Sequence, residues 1–271
     1  MRVVFRCDPA LHGSLPRPHA AAAALPEWLR TMPRTAPSVL HPEPVRTVKQ
    51  CPPFVDAMAH GFMIPLPCDV SVRGGALSWD WEVPPLAASH HPRAPISFHA
   101  AAQMEGSPFR DGDQVIVKFN SFWTVALEPG WSLFATHPVN RADLPFRLLT
   151  GLVNADRFNA VGLLFPAVWL DPAWEGTLPS GMPIAQCFPV PRAPLELVHE
   201  AFDAGAVREY DALAGQLLGG PGVYRRQFRS GPGGPGPGGH VSADPILSSA
   251  GPGGQLPLQG AGVQPDAAGR R

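Results

Sequence analysis

Charge is scarce in this sequence. Only 16% of its residues are Asp, Glu, Lys or Arg and the formal net charge is -1, against about a quarter charged in ordinary soluble domains. No broad field draws the surface towards nucleic acid or anionic lipid, so no nucleic-acid partner is expected. Long apolar runs are missing as well. Without about 20 consecutive apolar residues no helix is expected to span a membrane. The apolar part of "MRVVFRCDPA" is far too short for a signal-peptide core, so the expected location is cytoplasmic. Cys7, Cys51, Cys68 and Cys187 lie far apart with no Cys-x-x-Cys spacing. No close pair nucleates a zinc site, and the four read as small buried hydrophobes in a reducing compartment. There is no Gly-x-Ser-x-Gly nucleophile turn and no Gly-Lys-Ser/Thr phosphate loop.

What the chain has is hydrophobic residues, at 45%, together with 35 prolines and 28 glycines. Through residue 192 short β-prone runs recur between Pro and Gly: "RVVFR", "VRTVK", "GFMIPL", "ALSWDWEV", "QVIVKF", "FWTVAL", "WSLFAT", "VGLLFPAVWL" and "IAQCFPV". Several alternate, with Leu77, Trp79 and Trp81 on one face. "DGDQ" (111–114) and "EPGW" (128–131) are turn sequences. No long helical period separates the strands, which argues against parallel βαβ units. The expected fold is mainly β, an antiparallel β-sandwich or a jelly-roll-like (β-clip-like) barrel with a C-terminal helical appendage.

Four regions follow. Residues 1–44 form a Pro-rich arm wrapping the outside, and residues 45–192 the β-rich domain. Residues 193–229 are the helical appendage, with apolar residues at helical spacing, Pro194 in a first turn and Gly205 between two helices. Residues 230–271 are close to half Gly and Pro, without aromatics, and are expected to be disordered.

Two segments carry a functional resemblance. "GLVNADRF" (151–158) and, further on, "GMPIAQ" (181–186) resemble segments of the dUTP pyrophosphatase and dCTP deaminase-like β fold. In the pyrophosphatases the first segment holds an aspartate that deprotonates the attacking water. Gly151, Leu152, Val153 and Asp156 fit, but Asn154 stands at the base position. A carboxamide cannot accept that proton. Asp156 could substitute, although alternate residues of a strand do not project to one spot. The family's Pro-Arg-Ser-Gly phosphate segment is missing, and "THPVNR" (136–141) stands about where it would lie. A wider resemblance spans about residues 45–229. "CPPFVDAMAHGFMIPLPCDV" (51–70), "FNSFWTVALEPGWSLFATHPVNRADLPF" (119–146) and "GTLPSGMPIAQCFPVPR" (176–192) resemble an uncharacterised family, a domain of unknown function, in bacteria and their phages. That resemblance implies an architecture and no reaction.

Of the remaining candidates, the loop "THPVNRADLPF" offers His137, Asn140 and Arg141 between prolines after an aromatic-rich strand. Arg141 could grip a carboxylate or phosphate with its forked donors; the plainer reading has Asn140 and Arg141 satisfying buried carbonyls. With Asn154, Asp156 and Gln186 these residues form the expected ligand-binding set. His90, His91, His99 and His137 are the alternative, a metal site of a cupin-like oxygenase, although adjacent His90 and His91 would point to opposite faces of a strand. Trp123, Trp131, Phe134, Phe165, Trp169 and Trp174 could stack on bases, but alternation makes them core first. The expected function is a ligand-binding or assembly module without hydrolytic activity and without a cofactor, its partner a small ligand or a protein, with a homo-oligomer possible. The alternatives are a divergent nucleotide hydrolase using Asp156 and the metal-dependent oxygenase, so enzyme status stays open.

Overall fold

The computed structural model describes residues 1–109 and 116–229. The expected turn at 111–114 and the expected disordered tail lie outside the described residues. The chain divides into two units, Met1–Ala36 with Thr47–Leu197, and Pro37–Arg46 with Val198–Arg271.

The first unit is β-rich. Its strands are β1 (Val4–Arg6), β2 (His19–Ala20) and β3 (Thr35–Ala36), while β4 (Val45–Arg46) belongs to the second unit. There follow β5 (Phe62–Pro65), β6 (Val70–Arg73), β7 (Ala76–Ser78), β8 (Ile96–His99), β9 (Ile116–Asn120) and β10 (Thr124–Ala126). The last are β11 (Trp131–Thr136), β12 (Phe146–Leu148), β13 (Gly151–Val153), β14 (Leu164–Trp169), β15 (Gly176–Leu178) and β16 (Pro183–Pro191). Five strands pair in the order β13-β11-β16-β5-β2 and four in the order β12-β14-β9-β8, all antiparallel. A three-stranded sheet β15-β6-β7 and the pair β1-β10 complete the unit. Among the described residues no sheet closes into a barrel, so the sandwich-like form of the expectation is the one found.

Period-two alternation builds the core. The five-stranded sheet turns Phe62, Ile64, Leu133, Ala135, Ala185 and Cys187 inward, and the four-stranded sheet turns Ile96, Val117, Phe119, Phe146, Phe165 and Ala167 into the same cluster. Lys118 and Arg147 sit on the opposite face. Phe119 and Phe146 are fully buried with ring centroids 4.7 Å apart, each contributing about 2–3 kcal/mol by burial.

The N-terminal arm does more than wrap the surface. β1 pairs with β10, from Val4↔Ala126 to Arg6↔Thr124. Leu11 and Leu15 are buried in a second cluster with Val83, Phe122 and Trp123. The Trp123 indole N–H donates to the Pro16 carbonyl (2.9 Å). The Asp8 carboxylate accepts from the N–H groups of Ala10 and Ala87 (3.0 and 2.8 Å). Arm residues therefore hold core positions that the composition alone assigned to an external wrap. The cysteine expectation is also corrected in part: Cys68 and Cys187 are buried, whereas Cys51 is exposed and Cys7 only partly covered.

Two short helices decorate this unit, α1 (Glu27–Thr31) and α2 (Pro52–Ala59). Paired prolines pre-set the first turn of α2. "VRTVK" yields only the two-residue β4 and a 3₁₀ turn, and "ALSWDWEV" keeps strand geometry only through Ser78. Trp79 and Trp81 still pack against the main core.

Among the described residues of the second unit, the α-helix that forms is α3 (Ala204–Gly219), followed by a π-helical turn at Tyr224–Phe228. The expected first helix from Pro194 does not form. Residues 192–203 are without regular structure, and Leu195, Leu197, Val198 and Phe202 are all exposed. Helical spacing without a surface to bury against does not offset the nucleation cost. Gly205 lies in the first turn of α3 rather than between helices, because the Asp203 side chain caps that turn by accepting from Gly205 N and Ala206 N.

Candidate functional site

Strand β11 fixes the geometry of every residue in the expected ligand set. Its outer face carries Ser132, Phe134 and Thr136; its inner face carries Leu133 and Ala135. At its N-terminal end, Ser132 stands beside Asn154 and donates from Oγ to Asn154 Oδ1 (2.9 Å). The chain turns sharply after β13: the N–H groups of Arg157 and Phe158 both donate to the Asn154 carbonyl. Strand alternation therefore ends at Val153, and Asn154 and Asp156 meet on one network, contrary to the expectation from alternate positions.

The organiser of that network is Arg192, just past the end of β16. Its guanidinium grips the Asp156 carboxylate with two nitrogens, donating from Nη1 to Oδ1 (2.7 Å) and from Nη2 to Oδ2. Nη1 also donates to the Trp131 carbonyl (3.0 Å) and to Ser132 Oγ (3.3 Å). The Gly130 N–H donates to Asp156 Oδ2 (3.0 Å). The Asp156 side chain is only 6% exposed. The Arg192 bonds, and after them the Gly130 N–H, hold its carboxyl far below the ordinary carboxylate range, against the opposing effect of desolvation. A carboxylate held so firmly in its charged form is a poor proton acceptor near neutral pH.

At the C-terminal end of β11 lies the second group. His137 is half-buried, edge-on to Phe146 (5.9 Å). Its Nε2 lies 2.8 Å from the Arg141 carbonyl, and the Leu148 N–H approaches Nδ1 at 3.4 Å. This pattern suits the neutral ring with the proton on Nε2. Burial lowers its pKa, only partly offset by the bond to the Arg141 carbonyl. The Arg141 guanidinium is taken by Asp143, with Nε to Oδ1 and Nη2 to Oδ2 both at 2.8 Å, and its side chain is 12% exposed. Burial would raise the Asp143 carboxyl, but the Arg141 bond and charge together outweigh it, so its pKa falls. Asn140 adopts φ 59° in the turn closed by Arg141 N–H to the Pro138 carbonyl, a conformation Asn tolerates better than most residues.

Gln186 lies between these elements and is fully buried. Its Nε2 donates to the carbonyls of Ala57 (2.9 Å) and His60 (2.7 Å), with Met58 at 3.4 Å, and its Oε1 accepts from the Val139 N–H (2.9 Å). It satisfies the end of α2 and the 137–141 turn together. Its amide N–H groups are spent on backbone carbonyls and the whole side chain is buried, out of reach of a ligand.

The expected set therefore splits. Asp156 is tied to Gly130, while His137 and Arg141 follow Thr136. The seven residue steps from Gly130 to His137 span about 23 Å at strand rise. Asn154 and Asp156 come together through Ser132 and Arg192, and His137 and Arg141 come together in their own turn, at opposite ends of β11. The alternative metal set does not assemble. His90 bonds to Ser89 Oγ, His91 to the Pro92 carbonyl while packing on Phe122, and His99 to Gln103 Oε1. Among the described residues no three His, Cys, Asp or Glu side chains are grouped to hold a metal.

Neither a family model nor a curated protein matches this chain.

Sequence reasoning missed Arg192, Ser132 and Asp143. It also missed what the outer face of the five-stranded sheet leaves bare. Leu152 pairs with Phe134 and Phe134 with Phe188, so three apolar side chains run in a row across β13, β11 and β16. Leu152 is 63% exposed and Phe134 37%, and the His60 ring stacks on Phe188 (5.6 Å). Of the aromatics expected in the core, Trp123 and Phe165 are buried and Trp131, Trp169 and Trp174 pack against it. Phe134 is the exception. An alternation that was broken on the β11 outer face was the available signal.

Proposed function

We propose that this chain is a β-rich binding or assembly module that performs no hydrolysis. The observation that carries the reading is the complete engagement of Asp156 by Arg192 and Gly130. With Asn154 an amide bonded to Ser132, no group near the resemblance to nucleotide hydrolases is free to take a proton from water. His137, Arg141 and Gln186 are likewise bonded within the protein. The resemblance of residues 45–229 to a bacterial and phage family, which brings an architecture without a reaction, is consistent with this, as is a cytoplasmic location.

The contact surface in this reading is the row Leu152, Phe134 and Phe188 on the open sheet face. Exposed apolar side chains set side by side on a sheet favour an apolar ligand or a protein surface over a phosphate. Two measurements on the full chain test the proposal. Incubated with magnesium and a panel of nucleoside and deoxynucleoside triphosphates, the wild type shows no turnover. Turnover that disappears in Asp156→Asn overturns the proposal. An apolar fluorescent dye, anilinonaphthalene sulfonate, binds the wild type, and Phe134→Ser/Leu152→Ser removes most of that signal without lowering Tm. An unchanged signal places the contact surface elsewhere.

A further inference from the structure

Two guanidinium groups converge on one glycine in the second unit. Gly222 lies between the buried Pro221 and Val223, just ahead of the π-helical turn. A Cβ on Gly222 would stand 3.3 Å from Arg226 Nη1 and 3.7 Å from Arg46 Nη1. The two nitrogens therefore lie no more than about 7 Å apart, close enough for their charges to repel.

Flexible cations on an open surface relieve such repulsion by splaying apart. This pair is kept together. Arg226 Nη1 donates to the Pro221 carbonyl at 2.8 Å, which folds the side chain back over the glycine. Arg46 closes β4 and is half-buried. Among the described residues neither guanidinium has a carboxylate within ion-pair distance. The acids of the same unit stand elsewhere: Glu43, Glu200, Glu209 and Asp211 are exposed, and Asp203 is spent on capping α3. Arg225, next to Arg226, adds a third positive charge.

The spacing says what would neutralise the pair. A tetrahedral phosphoryl group that accepts a charge-assisted bond of about 2.8 Å on each of two oxygens sets its donors about 5–7 Å apart. Each guanidinium presents a planar fork suited to such oxygens. A carboxylate brings one negative charge and would leave the second arginine unanswered, whereas a phosphoryl dianion answers both. Glycine suits the position, because a side chain at 222 would enter the space between the two forks.

We infer that Arg46 and Arg226, set over Gly222, form a binding site for a phosphoryl dianion. The inference is independent of the sheet-face reading, which concerns other residues in the first unit; either can fail while the other stands.

The test is calorimetric titration of the full chain with inorganic phosphate at pH 7.5 and low salt, with Tm read in parallel. The wild type binds one equivalent saturably and gains Tm. Arg46→Gln and Arg226→Gln each weaken binding about tenfold or more, while Arg208→Gln, which removes the same charge from α3, leaves it within twofold. Without phosphate, Arg46→Gln melts no lower than wild type, because it relieves a repulsion. Acetate at equal ionic strength does not compete. Phenyl phosphate identifies the source: binding as tight as phosphate assigns the site to a phosphorylated molecule, and binding tenfold weaker assigns it to the free anion, both upholding the site. Absence of saturable phosphate binding overturns the inference. So does equal weakening by Arg208→Gln, which reduces the effect to overall charge, or competition by acetate at the same concentration. A phosphate-free Tm several degrees lower in Arg46→Gln also overturns it, since Arg46 is then satisfied within the protein.

Discussion

Replacing Gln186 by Leu keeps the volume close to native and removes all polar capacity. The side chain bonds well to three backbone groups, the Val139 N–H at 2.9 Å and the Ala57 and His60 carbonyls at 2.9 and 2.7 Å. Leaving a buried backbone group without a partner costs about 1–3 kcal/mol. The N–H is the worst affected, since a carbonyl keeps a second lone pair. Apolar packing by Leu recovers part of the loss, so the net destabilisation is about 3–5 kcal/mol, near the top of the range for single substitutions. For a unit of this size each kcal/mol moves Tm by about 2–4 °C, so thermal melting should fall by on the order of 10 °C. Gln186→Glu separates the two halves of the bond set. It keeps an acceptor for Val139 but turns an acceptor towards the carbonyls, so it is destabilised at neutral pH. The protonated acid regains one donor and is favoured in the folded state, so its deficit should shrink as pH falls. Tm of Gln186→Leu within about 2 °C of wild type would refute the claim that this residue fastens α2 to the 137–141 turn.

The Asp156–Arg192 pair gives a pH prediction. Its folded pKa lies below the ordinary value, so its stabilisation is present above about pH 4 and is lost as pH falls through the folded pKa. Urea midpoints of wild type and Asp156→Asn should differ by a constant amount from pH 5 to 8 and draw together progressively as pH falls below about 4; a gap that stays unchanged from pH 5 down to pH 2 contradicts the assignment. Gly61→Ala is the backbone test. Gly61 has φ +73°, and a Cβ there would sit 2.2 Å from the Cys187 carbonyl oxygen, which cannot withdraw without disturbing the β5–β16 pairing at Cys187↔Phe62. The conformational cost of about 1–2 kcal/mol plus the clash should destabilise by about 3 kcal/mol or more, and an unaltered urea midpoint would disprove the close approach.

Strand identity was legible where alternation or a β-branched and aromatic run was strong: "GFMIPL", "WSLFAT" and "IAQCFPV" became β5, β11 and β16. The helical period at 193–203 misled because spacing reports an amphipathic possibility, and here no neighbour covers Leu195, Leu197 or Val198. Site residues were legible by type and not by bond. That Arg192 would occupy Asp156, 36 positions away, depends on where β16 ends beside β11. That Gln186 would reach the carbonyl of Ala57, 129 positions away, depends on where α2 stops. Such partnerships are set by the register between distant strands, and neither sequence neighbourhood carries a mark of the other.

The interlock of the N-terminal arm bears on how the protein is made. Val4 finds its strand partner at Ala126 and Trp123 bonds to Pro16, so residues of the arm wait for more than a hundred later ones to be synthesised. Until then Leu11 and Leu15 have no cavity to fill and Trp123 has no cover. Closure of the arm therefore comes late, through contacts of very high sequence separation, which slows folding. The interval in which those apolar groups stand bare is when a nascent chain is most prone to stick to its neighbours.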